Sequence, residues 1–304
     1  MVETTISGTT LSDEGRAIVE RLGGRWTRKG GMCRCPAHAD GTPSLSVRAG
    51  RTRLLLHCFA GCAAADILAE LKALGLLGRI PAPDANASSV ADPATSLSRA
   101  ATRIWTDARI ISGTPAERYL LGRSIRTTSP EVRYHPNVPH GPKPLTQFRP
   151  ALVAAVRDES GVVGIHRTFL DRRTGTLAKL PDPKCGLGPF GGGAVRIGGV
   201  APRLGLAEGL ETALSVSLLF DIPCWATLGT ERFKHVHLPA DVTDLVLFLD
   251  NDAGGRRAET LARDAFTGLR SIEAERPRRA GYDWNDVLRR TAHERRATRE
   301  RVTL

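Results

Sequence analysis

The sequence predicts a multidomain chain, α+β in its first two parts and α/β in its last. Three observations predict it. Four of the six cysteines fall between Cys33 and Cys62, flanked by two helix-like segments. The stretch over 81–96, PAPDANASSVADPATS, has no apolar period and the Pro, Ala, Ser and Asp content of a linker. After Pro202, strand-like and helix-like segments alternate, the pattern of a parallel sheet covered by helices. At roughly 100–200 residues per domain, a chain of 304 residues holds two or three units. The expected divisions are residues 1–78, a linker over 79–96, an α+β middle region over 97–202, and an α/β domain over 203–304.

The first element is an amphipathic helix over 11–25, with Ile18, Val19 and Leu22 on one face and Gly23-Gly24 ending it. A hairpin follows, with strands over Thr42–Val47 and Arg53–His57 turning at Ala49-Gly50, and then a short helix over Ala64–Leu74. Beyond the linker, Leu97, Ala101, Ile104, Trp105, Ala108 and Ile111 recur at helical spacing. Thr114-Pro115-Ala116-Glu117 offers a capping box with proline at the first helical position, and Gly122 closes that helix. ALVAAV (151–156) and VVGIHRTFL (162–170) are strand-like on either side of Asp158–Gly161, which makes a hairpin. From Arg203 onward the order is LGLA, GLETALSVSLLF, IPCWAT, DLVLFLD, GGRRAETLARDAF and LRSIEAE.

Composition narrows the function. With 41% hydrophobic and 25% charged residues the chain can bury real cores, and no apolar run reaches the roughly 18–20 residues of a membrane span, so no membrane partner is expected. The first 20 residues lack a basic start, apolar core and cleavage site, so the protein is expected in the cytoplasm. The formal net charge of +11 favours polyanionic partners through phosphate neutralisation. Only six of the 43 basic residues are lysine, and an Arg- and Ala-heavy chain is also what a GC-rich genome writes, which weakens that inference.

In such a compartment clustered cysteines point to metal rather than disulfides. Cys35-Pro36-Ala37-His38 and Cys58-Phe59-Ala60-Gly61-Cys62 form two pairs separated by 19 residues. Zinc takes four tetrahedral N and S ligands, and two short pairs on either side of a hairpin meet that need, giving one structural Zn²⁺ in a zinc-ribbon-like module. A closed four-ligand site leaves out Cys33 and His57; Cys185 and Cys224 are isolated thiols. CPAHADGTPSLSV followed by LLLHCFAGC resembles the amino-terminal zinc module of DnaG-type bacterial primases. The resemblance implies contact with single-stranded DNA template. The second pair here has three intervening residues where that family usually has two, which puts the template preference in question and leaves metal binding intact.

Leu204–Ala207 leads into Glu208-Gly209, and Leu245–Leu249 into Asp250-Asn251-Asp252 with Ala253-Gly254-Gly255 behind. On parallel strands these three carboxylates emerge at one sheet edge, where they suit Mg²⁺ (or Mn²⁺), a hard ion held by one or two carboxylates while substrate phosphates complete its shell. Glycines behind the pair let backbone and a helix amino-terminus approach phosphate. Glu211 reads as a helix-surface charge. Together LGLAEGLETAL, LVLFLDNDAGG and YDWNDVL resemble a Toprim domain, which carries a Rossmann-like parallel sheet. The resemblance implies Glu208 as catalytic glutamate, Asp250 and Asp252 as the magnesium-binding pair, and Asp283 as the acidic residue of the last motif. Tyr282 stands where many primases have lysine.

The middle region, with GTPAERYLLGR and the glycine-rich PFGGGAVRIGG, resembles the corresponding segment of primase-like proteins from plasmids, phages and integrated elements. Arg167, Lys179, Lys184 and Arg196 are candidates for template or nucleoside triphosphate contacts. His135, His140, His166, His235 and His237 read as structural or exposed. The expected activity is that of a short DnaG-type DNA primase, joining ribonucleotides on single-stranded DNA with Mg²⁺ during replication of such an element. Alternatives are a Toprim nuclease using water as nucleophile, and a nonenzymatic single-strand-binding adaptor. A topoisomerase is disfavoured because it requires a nucleophilic tyrosine from an additional domain, and Tyr119, Tyr134 and Tyr282 are the only tyrosines in this sequence. No G-x-x-x-x-G-K-[ST] loop is present, so either a replicative helicase is a separate partner or the template arrives already single-stranded.

Overall fold

In the computed structural model the described residues are 10–28, 30–38, 43–50, 53–58, 62, 64–77, 93–141, 146–279 and 281–302. The chain divides into two compact units, Met1–Val90 and Ala91–Leu304. Most of the expected linker, and Thr42 at the start of the expected hairpin, lie outside the described residues.

The first unit begins with α1 (Leu11–Arg21), whose Thr10 cap accepts from the Asp13 amide while the Asp13 carboxylate accepts from the Thr10 amide. The helix ends earlier than its periodicity suggests because Gly23 takes a positive φ of 74° and Arg25 already belongs to a strand. The sheet is a four-stranded antiparallel meander of β1 (Arg25–Thr27), β2 (Gly30–Cys33), β3 (Leu45–Ala49) and β4 (Leu54–Cys58), followed by α2 (Ala64–Ala73). The sequence reading missed β1 and β2. Gly30-Gly31 hides β2, and packing explains the glycine: a Cβ on Gly31 would lie 2.6 Å from the Val19 side chain, because α1 rests directly on this strand. Ile18, Val19, Leu45, Val47, Ile67 and Leu71 fill the core together with buried Cys33, Cys35 and Cys58.

The second unit starts with α3 (Pro93–Asp107), which begins inside the expected linker with proline at its first residue. It stops four residues short of Ile111 because Arg109 pairs with Tyr134 at the edge of a sheet. In α4 (Pro115–Leu121) the expected capping box is altered. The Thr114 hydroxyl turns back to the Ile111 carbonyl, and Glu117 accepts instead from the Gly113 amide at 2.8 Å. An antiparallel sheet follows in the order β5 (Val132–His140), β6 (Gln147–Asp158), β7 (Gly161–Phe169) and β8 (Lys184–Leu187). The hairpin at 158–161 is present, with Asp158 opposite Gly161. β6 is buried on both faces. Ala151, Val153 and Ala155 pack with Ala101, Ile104 and Trp105 of α3, while Leu152, Ala154 and Val156 face the opposite way.

Beyond them lie β9 (Val195–Ile197), β10 (Arg203–Ala207), α5 (Leu210–Phe220), β11 (Cys224–Ala226), a 3₁₀ helix (Thr230–Lys234), β12 (Asp244–Phe248), α6 (Ala253–Ala265), β13 (Ser271–Glu275) and α7 (Trp284–Val302). The sheet order is β13-β12-β10-β11-β9, parallel except for β9, which runs antiparallel to β11. The alternation read from the sequence is thus realised as an α/β sheet. The division expected at residue 202 does not separate two bodies. β9 comes from the middle region, and one core joins Leu152, Ala154 and Val156 to Leu210, Val246, Phe248 and Trp284.

Candidate active site and metal centre

β10 and β12 are neighbours with Ala207 opposite Phe248. β10 continues through α5 to β11 on one side, whereas β12 continues through α6 to β13 on the other. Such a reversal opens a crevice at the carboxyl ends of the two strands. Glu208 is the first residue past β10 and Asp250 the second past β12, so this crevice receives both, and both are exposed. Asp252 caps α6, its Oδ1 accepting from the Gly255 amide at 2.8 Å. Gly255 must be glycine: a Cβ there would fall 2.0 Å from the Asp250 carbonyl oxygen, so the tight step from Asp250 into α6 depends on its absence.

The Glu208 carboxyl is pushed above its ordinary range, first by the protein that displaces water around it and then by Asp250 and Asp252. Hydrogen bonding from Thr230 pulls the other way. Asp250 is raised by desolvation, then Asp252, then Asp283. Asp252 thus acts on both Glu208 and Asp250, and Asp283 on Asp250. Asp283 opens α7, accepting from the Asp286 amide at 2.7 Å. Like charges gathered at an open sheet edge fit a hard divalent cation with part of its water shell retained.

In the first unit, Cys33 and Cys58 sit opposite Leu45 on either side of β3, which brings the ends of β2 and β4 to one level. The Sγ atoms of Cys35, Cys58 and Cys62 and a ring nitrogen of His38 lie within 4.8 Å of one another. A tetrahedron with metal–sulfur legs of about 2.3 Å has edges near ~3.8 Å, so the set fits one zinc ion. His38 Nδ1 is 3.2 Å from Cys62 Sγ, and its Nε2 is 3.5 Å from the Ser44 hydroxyl, which can fix the ring as outer partners of metal-binding histidines do. A hydrogen bond with Cys58, then burial, drive the Cys35 thiol far upward, the mark of thiols gathered without a counter-charge. Cys33 points into the core toward the Leu45 carbonyl, and His57 lies on the face of β4 opposite Cys58.

The four basic candidates are placed differently from one another. Arg167 is 9% exposed. Its guanidinium donates to the carbonyls of Pro139, Cys185 and Gly186 and to the Cys185 sulfur, so it ties β5, β7 and β8 together. Lys184 pairs with Glu211 at 2.7 Å, and Arg196 lies over the Trp225 ring at 4.5 Å. Lys179 is exposed. Glu211 is not a surface charge: it is 7% exposed, held by Lys184 and by the Tyr119 hydroxyl at 2.7 Å. Burial opposes its ionisation, yet Lys184 and Tyr119 hold its carboxyl down to about 2. Thr230, bonded to Glu208 at 2.9 Å, carried no sequence signal.

Residues 203–294 match a protein-family model described as the Toprim domain, and residues 95–197 match one described as a domain of unknown function (DUF7146). The last third of the chain thus carries a mostly parallel, Toprim-like sheet, preceded by an antiparallel α+β region and by a module whose Cys/His cluster can hold zinc. No curated protein matches the sequence. Among solved structures the chain is similar to a DNA primase domain from Pseudomonas aeruginosa, at 15% identity, covering 66% of this chain and 78% of that one with a TM-score of 0.46. It is similar to the Aquifex aeolicus primase (zinc-binding and RNA polymerase domains) at 16% identity, covering 96% and 85% with a TM-score of 0.45. For the primase fragment of the bacteriophage T7 primase-helicase protein the identity is 12%, the coverage 91% and 98%, and the TM-score 0.37. Among the described residues no helix is long and apolar enough to cross a membrane.

Proposed function

We infer that the protein is a primase-type nucleotidyltransferase that joins ribonucleoside triphosphates on single-stranded DNA with Mg²⁺ (or Mn²⁺), in the cytoplasm and for replication of a plasmid, phage or integrated element. The observation that carries this is the meeting of Glu208, Asp250 and Asp252 at the carboxyl ends of adjacent parallel strands within the Toprim match. Asp250 and Asp252 would hold the cation, Asp252 with the oxygen it does not spend on capping α6. Mg²⁺ held there would polarise an α-phosphate and lower the pKa of an attacking 3′-hydroxyl, pyrophosphate leaving as the new ester bond forms. Glu208, whose carboxyl is raised above its ordinary range, is suited to join Asp250 and Asp252 in holding metal or to take that hydroxyl's proton, and Asp283 adds to the field on Asp250. Of the basic candidates, Lys179 is exposed to a phosphate, while Lys184 is engaged by Glu211 and Arg196 by the Trp225 ring. The net charge of +11 and a zinc-held Cys35, His38, Cys58 and Cys62 module support a single-stranded DNA partner, and a replicative helicase would act as a separate chain.

The test is nucleotide incorporation on single-stranded DNA. Asp250→Asn or Asp252→Asn should lower Mg²⁺-dependent synthesis at least about 100-fold, on the order of 2.7 kcal/mol of transition-state stabilisation. Asn caps a helix as well as Asp, so Asp252→Asn should keep α6, the zinc and DNA binding. Undiminished incorporation by the double variant sinks the assigned site. A wild type that cuts DNA instead, with the same variants inactive, keeps the site and replaces the primase with a nuclease.

A further inference from the structure

The turn after β11 is built around Glu208. Past the last β10–β11 pair, the Thr227 amide donates to the Ala207 carbonyl at 2.9 Å and the Leu228 amide to the Glu208 carbonyl at 2.8 Å, which pins the Glu208 backbone. The chain then reverses through two uncommon conformations, Leu228 at φ 66° and Gly229 at φ 150°. Positive φ at leucine is costly and persists only where its surroundings enforce it. What enforces it here is Arg232, 2% exposed, whose Nε donates to the Thr227 carbonyl at 2.7 Å and whose Nη2 donates to the Gly193 and Gly191 carbonyls at 2.6 and 3.2 Å. Glu231 adds a second anchor, accepting from Arg257 Nε of α6 at 2.6 Å. The product of this bracing is the Thr230 hydroxyl, 2.9 Å from Glu208 Oε2 and on the side of the crevice where α6 starts: a Cβ added to Gly254 would lie 3.7 Å from that hydroxyl and 3.3 Å from Asp252 Oδ1.

We propose that Thr230 is a positioning residue, its hydroxyl holding the Glu208 carboxylate in the orientation that metal and reacting hydroxyl require. An otherwise free glutamate would spread over many rotamers and meet a neighbouring ion in few of them. The proposal rests on the metal-dependent reading of the site.

The experiment uses the full-length protein with Thr230→Val, which keeps the shape and removes the hydroxyl, and Thr230→Ser, which keeps the hydroxyl. Thr230→Ala stands in should valine disturb the fold, judged by circular dichroism and zinc content. Calorimetric Mn²⁺ binding is measured beside kcat and KM for nucleotide incorporation. Loss of an outer partner of a metal ligand typically costs about 10-fold, so Thr230→Val should weaken Mn²⁺ and lower kcat by about that factor with KM for nucleotide unchanged, and Thr230→Ser should restore both. Wild-type behaviour of Thr230→Val overturns the proposal, as does a Thr230→Ser variant equally impaired, or an effect confined to KM. A wild type that binds Mn²⁺ without making polymer removes the primase reading and leaves the Mn²⁺ comparison to decide Thr230. A wild type that binds no Mn²⁺ removes the metal site and the proposal together.

Discussion

Two carboxylates on the same fold show how residue-scale surroundings set opposite signs. Glu211 is buried but paired, and its carboxyl sits at about 2 instead of the ordinary 4.5. Its pairing therefore stabilises the protein above about pH 4.5 and is lost as the pH falls from there through 2. Asp250 is exposed and unneutralised, with its carboxyl raised, so the metal-free fold bears a cost that grows as the pH rises through the raised value. Glu211→Gln should destabilise the second unit at pH 7 by about 3 kcal/mol, since it leaves Lys184 and Tyr119 facing a neutral amide. That deficit should shrink toward pH 2. Asp250→Asn should do the reverse, raising the metal-free Tm by about 1–2 °C at neutral pH because solvent screens an exposed group, with no gain in acid. Denaturation of both variants across pH 2–7 checks the two signs in one series, and a Glu211→Gln deficit that stays constant down to pH 2 would contradict the pairing.

At the scale of elements, the meander of the first unit brings Cys35, His38, Cys58 and Cys62 together while β3 turns Cys33 into the core. Cys33→Ala should keep one zinc per chain, and Cys58→Ser should lose it together with the cooperative melting of the first unit, leaving the second unit's transition in place. Elemental analysis and circular dichroism read both. The four ligands were legible because metal fixes spacing, and the carboxylate strands because β10 and β12 are continuous apolar runs ending in acid. β5 was not legible, since Pro136 and Pro139 interrupt its pattern; the structure accommodates them on an edge strand with a register shift between His135 and Val138. β8 and β9, of four and three residues, are too short to show a period, and Gly30-Gly31 conceals β2. Glu211 and Arg167 were misplaced for a related reason: the partners that decide their burial lie far away in sequence, 92 residues for Tyr119 with Glu211 and 28 for Arg167 with Pro139.

For the molecule as a whole, the point where one family match ends and the next begins is not a point where the second unit can be cut. A fragment starting at residue 203 would lose β9, exposing the edge of β11 as an unpaired strand. Arg232 would lose the Gly191 and Gly193 carbonyls and keep a buried charge with one carbonyl partner, and Trp225 Nε1 would lose the Gly199 carbonyl that accepts its proton at 2.7 Å. Leu210, Ala213 and Leu214 of α5 would no longer share a core with Leu152, Ala154 and Val156. Each buried side chain returned to water costs about 1.5–3 kcal/mol, and an unpaired buried polar group adds about 1–3 more, so losses of this number exceed the 5–15 kcal/mol that holds a typical domain folded. The fragment 91–304, cut at the boundary between the two units, retains every one of these contacts. It should unfold in a single urea transition seen alike by far-ultraviolet circular dichroism and by the fluorescence of buried Trp105, Trp225 and Trp284. The fragment 203–304 should show no cooperative transition and should aggregate through its open edge. A sharp, reversible transition from 203–304 alone would mean that the Toprim sheet stands without β9 and the middle region, and that the shared core is an accessory to its fold.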